Sequence, residues 1–149
     1  MKHTGPSSTA YGALLLRVSL GVMYVAHSVV LKWMTFGLAG TALYFESLGL
    51  PAFLAYATFF AEFGGGVLLI LGVQSRRVAL ALLPVLVGAT WVHAGNGWVF
   101  SAQGGGWEYP LYLIVLSVAQ ALLGDGAYAL SPSRSLAPAS ASASLKTAA

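Results

Sequence analysis

Residues 52–73 read AFLAYATFFAEFGGGVLLILGV, an apolar run with one charged side chain, Glu62, and no proline. A helix needs about 17 to 25 predominantly apolar residues to cross the hydrocarbon core of a bilayer, so this stretch reads as a membrane span. At 1.5 Å of rise per residue, Glu62 lies about 15 Å along it, near the bilayer midplane. A carboxyl at that depth is expensive to desolvate and is a functional candidate by default.

Three further stretches, 13–31, 78–94 and 107–123, have the same apolar character at or near spanning length. The chain of 149 residues is 58% apolar and 7% charged, with a mean hydropathy of +0.79. A soluble domain carries about 25% charged residues, so a small soluble enzyme is not expected and the bilayer is the solvent. The expected fold is an all-α membrane protein: a four-transmembrane-helix bundle over residues 1–130, followed by a Ser/Ala/Pro-rich disordered cytoplasmic tail at 131–149. Between the first two spans, Leu38, Ala42, Phe45 and Leu48 recur at helical spacing, with Glu46 and Ser47 elsewhere around the axis. That pattern predicts a short helix on the outer surface.

Pro51 and Pro110 fall where the first helical residues of the second and fourth spans are expected, a position for which proline is preorganised. Pro84 lies inside the third span and predicts a kink. The first span exceeds a signal-peptide core and ends in no small-residue cleavage pattern, so it is expected to be retained. With Lys2 inside, four crossings put Arg76, Arg77, Arg134 and Lys146 on the same face, and Arg17 can snorkel there, leaving Lys32 outside. Both termini are therefore expected to be cytoplasmic, in a bacterial inner membrane. Trp33, Trp91, Trp98 and Trp107 then fall near the outer interface, where amphipathic rings are favoured.

The net charge of +3 comes from scattered basic residues with no aromatic-interleaved stripe, so nucleic acid is not expected as a partner. The absence of cysteine removes disulfides, thiolate metal sites, iron–sulfur ligation and a cysteine nucleophile, and no metal site is expected.

The polar groups inside or at the edges of the spans are few: Glu62, His27, His93 and Lys32. Glu62 has two readings, as a partner that fixes packing with a basic or hydroxyl group on another helix, or as a carboxyl that exchanges protons with a quinol or other substrate. Gly65 and Gly66 share its helix face, where small residues admit either a neighbouring helix or a flat ligand. His27 and His93 both fall in the outer third, with Asn96 three residues beyond the latter, and the outer loop leads through Glu108 and Tyr109 into the fourth span. Helix capping accounts for Glu108 equally well. The Gly104–Gly106 run is not a phosphate loop, since no Gly-Lys-Ser/Thr follows.

Several of these residues form an ordered series: Arg17, Gly21, Ala26-His27 and Lys32; Tyr44-Phe45-Glu46-Ser47-Leu48-Gly49-Leu50-Pro51; Ala61-Glu62-Phe63-Gly64-Gly65-Gly66; Leu71-Gly72 and Arg76; Asn96-Gly97; and Gly105-Gly106-Trp107-Glu108-Tyr109-Pro110-Leu111. Over about residues 12 to 131 this series resembles the DoxX family of small four-helix bacterial membrane proteins. Ser28, where family members commonly have glycine, and Ala94-Gly95, in place of a frequent Leu-Pro, depart from the pattern.

The resemblance implies a quinone-linked oxidoreductase or an accessory membrane subunit of one, with redox partner proteins. Glu62, His27 and His93 are then the expected proton-handling residues, and Lys32, Asn96, Glu108, Tyr109, Gly65 and Gly66 the expected surroundings of a quinone head group. Thiosulfate oxidation by this chain alone is not expected. Haem held by His27 and His93 is geometrically workable in a bundle, but family relatives do not suggest it, and haem is not expected. Two other classes stay open: a proton-coupled small-molecule transporter, working as a homo-oligomer, and a non-catalytic accessory subunit.

Overall fold

The computed structural model describes residues 5–134, and among them the secondary structure is helical throughout, with no β-strand. Helix α1 (Ser8–Val25) opens on Ser7, whose side chain accepts a hydrogen bond from the Ala10 N–H at 3.2 Å, the expected serine N-cap. It runs without interruption into a π-helical segment, Ala26–Thr35, whose wider turns bond each N–H to the carbonyl five residues back, as in Phe36 N–H to Leu31 O at 3.1 Å.

Helix α2 (Gly37–Ser47) forms where the spacing predicts a helix, with Ala42 buried, Leu38, Phe45 and Leu48 half-buried, and Glu46 and Ser47 exposed. It ends in a Schellman motif: Gly49, at φ +77°, turns the chain so that its N–H reaches Glu46 O and that of Leu50 reaches Phe45 O. Pro51 follows this stop. It therefore closes the turn after α2, ahead of the Ala52 cap of α3 (Phe53–Leu71), instead of occupying the first helical position of α3.

The third apolar stretch is broken as its proline predicts. Helices α4 (Ser75–Ala81) and α5 (Leu83–His93) meet at Leu82, and Pro84 sits in the first turn of α5, where its missing N–H leaves no vacancy in the ladder. Helix α6 (Glu108–Leu123) holds Pro110 at its third position, still within the first turn.

Three helical units are long and apolar enough to cross a membrane: Ser8–Thr35, Phe53–Leu71 and Ser75–Asn96. The 16-residue α6 is apolar but shorter than a standard span. Large apolar side chains such as Leu15, Phe60, Trp91, Tyr112 and Leu122 point outward and exposed on the described surface, the arrangement of a protein embedded in lipid.

The core joins α1, α3 and α6 through Leu20, Tyr24, Leu69 and Leu113, with Ala79, Leu82 and Leu86 from the broken third unit. Helices α1 and α3 touch backbone to backbone: a Cβ on Gly21 would stand 2.6 Å from Gly66 O, and one on Gly66 2.8 Å from Gly21 O. Gly65 faces the Leu82 side chain. The glycine stripe beside Glu62 thus admits neighbouring helices.

At one end of the bundle the structure corrects the reading of Arg17. The side chain is 1% exposed and does not snorkel. Its guanidinium donates to Leu69 O at 3.0 Å, Ile70 O at 2.8 Å, Asp125 O at 2.8 Å and Ala127 O at 2.8 Å. The last carbonyls of a helix lack intrahelical partners, and a five-donor fork satisfies those of α3 together with the segment that folds back after α6. Arg76 does the same for α6, donating to Ala121 O at 2.6 Å and Leu122 O at 3.1 Å.

Ser131 and Ser133, assigned by composition to the tail, are tied to this end: Gln74 N–H donates to Ser131 O at 2.8 Å and Ser133 N–H to Asp125 Oδ2 at 2.8 Å. Lys2, Lys146 and the tail from residue 135 onward lie outside the described residues.

Candidate functional site

The π-helical segment carries the chemistry-bearing face of the first span. Lys32 donates from Nζ to Glu62 Oε2 at 2.6 Å, linking that segment to the middle of α3. Both side chains are nearly enclosed, at 13% and 7% exposure, so the pair sits in low dielectric where each charge depends on the other. Thr41 of α2 locks the approach: its hydroxyl donates to Lys32 O at 3.0 Å, with Gly37 O also at 3.0 Å. Ser28, fully buried, returns its hydroxyl to Tyr24 O and Val25 O where α1 passes into the wider turns.

Beside the ion pair opens a cavity of about 970 Å³, walled by the π segment, α2, α3, α5 and α6. Its walls are mostly apolar, from Leu31, Phe36, Leu54, Leu86, Trp91 and Leu113 among others. The polar groups on it are few: His27, Lys32, Glu62, His93, Tyr109, Tyr24, Tyr44, Thr41 and Thr58. An apolar chamber of this size with a small set of polar groups is the usual form of a site for a small organic ligand.

Of the residues singled out from the sequence, Glu62, His27, His93, Lys32 and Tyr109 come together on this one cavity. His27 stacks on Tyr109 with ring centroids 6.1 Å apart and planes 20° from parallel. Its Nδ1 lies 3.1 Å from Met23 O, and His93 Nδ1 lies 3.0 Å from Gly104 O. A carbonyl only accepts, so Nδ1 carries the hydrogen in both rings and Nε2 is the acceptor in the neutral form.

The other expected site residues lie elsewhere. Asn96 holds the loop between α5 and α6, donating from Nδ2 to Gly104 O at 3.0 Å and Gly105 O at 2.9 Å. Glu108 lines a separate shallow groove with Trp98, Leu111, Tyr112 and Val115, shared only with Tyr109. Gly65 and Gly66 serve the helix contacts described above. Among the described residues no three His, Cys, Asp or Glu side chains are grouped to hold a metal ion.

Tyr24, Tyr44, Thr41 and Thr58 line the cavity without having been expected as site residues, although Tyr44 belongs to the series that carries the family resemblance. Tyr24 had a signal: Ala13, Arg17, Leu20, Tyr24 and Ser28 repeat every three or four residues, the buried face of one helix. Nothing local marks Thr41 or Thr58 among their apolar neighbours.

The DoxX family model matches residues 12–95, more than half of the chain. This chain belongs to the DoxX family. Among known DoxX relatives it is similar to a Bacillus subtilis (strain 168) protein named "Putative oxidoreductase CatD", at 34% identity over 122 residues, covering 81% of this chain and 85% of the relative. No solved structure gives a significant match. The DoxX match takes in the π segment, Glu62 and His93; Tyr109 lies beyond its end.

Proposed function

We propose that this DoxX protein is the membrane subunit of a quinone-linked oxidoreductase system and that its cavity seats a quinone head group beside the Lys32–Glu62 pair. The observation that carries the reading is the donor inventory at the cavity wall. A lysine ammonium has three N–H donors and Lys32 gives one of them to Glu62 among the described residues, so donors remain to meet a carbonyl oxygen of a flat, apolar guest. The apolar walls suit the remainder of such a guest, and the oxidoreductase name of the Bacillus subtilis relative is consistent with it.

A bound quinone would supply two-electron acceptor chemistry, with the electrons delivered by a redox partner protein. The chain's own residues supply protons and charge. Beside such a guest Lys32 would stabilise negative charge on the oxygen it faces, and Glu62, an ionised partner of Lys32 until it takes up a proton, would relay that proton to the same oxygen, with His27 on the same cavity wall. Tyr109 stacks on the His27 imidazole at the cavity wall and limits how that ring can turn. In this reading α6 completes a fourth crossing, both termini are cytoplasmic in the inner membrane of a bacterium, and α2 lies on the outer surface.

The test is the quinone content of gently solubilised protein, wild type beside Glu62→Gln. Wild type should retain close to one quinone per chain, and the variant should lose it. Equal retention would end the role of Glu62. A buried ion pair at mid-helix is equally the arrangement a proton-coupled transporter, acting as a homo-oligomer, would use. Proton-dependent efflux from proteoliposomes without quinone retention would favour that reading, and neither activity would leave an accessory subunit.

A further inference from the structure

Small residues on neighbouring membrane helices let backbones meet, as Gly21 and Gly66 do between α1 and α3. Helix α5 departs from this. It packs against α4 and α6 and forms no comparable contact with α2 or α3 among the described residues, although α2, α3 and α5 all wall the cavity. The other walls are joined: the π segment packs on α2 and α3, and the His27–Tyr109 stack ties it to α6. Toward the Arg17 end the Leu82 side chain fills the space beside Gly65, 2.8 Å from where a Cβ would stand. An opening is left between α3 and α5.

Toward the middle of these two helices, Ala57 and Ala61 on α3 and Pro84 and Gly88 on α5 line the cavity and are exposed at the same time, so they form the rims of the opening. The members of each pair are four residues apart, one above the other on the same face. Ala61 adjoins Glu62 in the middle of α3, and Pro84 and Gly88 fall in the middle of the apolar Ser75–Asn96 unit, so the opening faces the hydrocarbon layer and not water. A Cβ on Gly88 would meet nothing within 4 Å, and the same holds for Gly40 on the α2 wall. Glycine weakens a helix relative to alanine, and neither position uses its bareness for a helix contact. The chamber is also larger than a ring requires. A six-membered ring with its substituents has about a dozen heavy atoms, and at about 30 Å³ each, the share of one water in the liquid, it fills about 360 Å³. The cavity holds about 970 Å³.

We propose that the guest of this cavity is a ring carrying a long hydrocarbon chain, and that the chain passes out to the bilayer between Ala57 and Ala61 on one side and Pro84 and Gly88 on the other. Gly88 is then the position that sets what girth of chain is admitted. The proposal deepens the quinone reading: it takes from that reading the ring beside Lys32 and Glu62, and adds the chain and its exit. One continuous space serves both parts, since the ion pair and the small-residue rims line the same cavity. The chain exchanges one apolar surrounding for another, so the opening costs nothing in lipid, and a guest of this class reaches the polar groups without crossing water.

The experiment is calorimetric titration of the full chain in phosphatidylethanolamine/phosphatidylglycerol nanodiscs, with the heat of empty discs subtracted. The probes are decylubiquinone, the same dimethoxy-methyl-benzoquinone without its chain, and a decylphenol, which has the chain on a ring that is not a quinone. Gly88→Phe displaces about two methylenes of the chain, so it should weaken decylubiquinone about tenfold or more and leave the chain-free quinone within about twofold. Gly88→Ala should act in the same order but less. Gly64→Phe, off the cavity and with nothing within 4 Å of its Cβ, should change neither affinity. A melting temperature near that of wild type shows that Gly88→Phe folds, and Gly88→Leu carries the same comparison if it does not. Equal loss for both quinones, or loss for neither, would overturn the chain exit. A wild type that elutes as a dimer and a Gly88→Phe that elutes as a monomer, with unchanged affinities, would assign the opening to a second copy of the chain. If neither quinone binds but decylphenol does and is weakened by Gly88→Phe, the chain exit stands and the quinone reading fails; if no chain-bearing probe gives saturable heat, the exit falls too.

Discussion

Two buried cations sit in the first membrane helix of this protein, and they are treated in opposite ways. Arg17 is 1% exposed and spends its donors on four backbone carbonyls from two different segments, and it lines neither the cavity nor the groove described above. Lys32, about four turns further along, has one carboxylate partner at 2.6 Å and stands on the wall of a chamber of about 970 Å³. The first cation is consumed by the fold. The second keeps donors in reserve, and a charge that costs folding energy without being fully used is where ligand chemistry is to be sought.

The comparison breaks most visibly at Arg17. Replacing it with Met strands the carbonyls of Ile70, Asp125 and Ala127 among buried residues, while Leu69 O keeps the Gly72 N–H at 3.1 Å, and at about 1–3 kcal/mol for each unsatisfied group the variant should fail to accumulate as folded protein. Arg17→Lys should recover little, since a point charge cannot span four acceptors. Detergent-solubilised yield and melting temperature read both. A well-folded Arg17→Met would remove the contrast altogether.

The Lys32–Glu62 pair should behave differently. Glu62→Gln alone leaves a buried cation unpaired and should destabilise by about 3 kcal/mol, whereas Lys32→Met with Glu62→Met should restore much of that stability, because apolar residues often replace a buried pair at little cost. The double variant is then folded but empty of quinone. If it melts like wild type and still holds quinone, the pair is packing only.

A smaller effect separates Gly64 and Gly66, the outer two of three successive glycines on α3. A Cβ at Gly66 meets Gly21 O at 2.8 Å and Val25 Cγ2 at 2.9 Å, so Gly66→Ala should push α1 from α3 at a cost of about 1–3 kcal/mol. At Gly64 nothing lies within 4 Å, and Gly64→Ala should raise stability by about 0.5–1 kcal/mol. Thermal melts of the two variants, shifting in opposite directions, check this.

The smallest effect sharpens the Arg17 end by pH. Burial pushes the Asp125 carboxyl up, but the backbone N–H groups of Ser133 and Ser75 and the Ser133 hydroxyl outweigh it, so the carboxyl is held below its ordinary value. A depressed carboxyl contributes stability that is fully present above its unfolded value, near about 3.9, and is lost as pH falls through the lower folded value. Wild type should lose melting temperature on acidification below about pH 4. Asp125→Asn should start lower at neutral pH and lose less across that window.

Much of this was legible in the residues themselves. The apolar stretches, the break at Pro84 and the α2 spacing of Leu38, Ala42, Phe45 and Leu48 are local signals, and Glu62 was conspicuous because a carboxyl in an apolar run has few structural excuses. Even its bland reading, a basic partner on another helix, describes the contact with Lys32. Arg17 was misread because its acceptors come from residues 69–70 and 125–127, and no local pattern announces that a loop will fold back over a helix end. The π segment was invisible for a related reason: Ala26–Thr35 contains no glycine or proline to mark wider turns, and its register is set by what packs around it. Asn96 and Glu108 looked like site residues because they are polar near an apolar span, yet the loop between α5 and α6 consumes one and a separate groove takes the other.

The most direct test of the central claim is photolabelling of the full chain in vesicles with an azidoquinone, followed by mapping of the labelled peptides. Label concentrated on the π segment and on α3 around Glu62, and competed away by decylubiquinone, is the predicted result. Label confined to the separate groove of Trp98 and Tyr112, or spread over the lipid-facing side chains without competition, would contradict it.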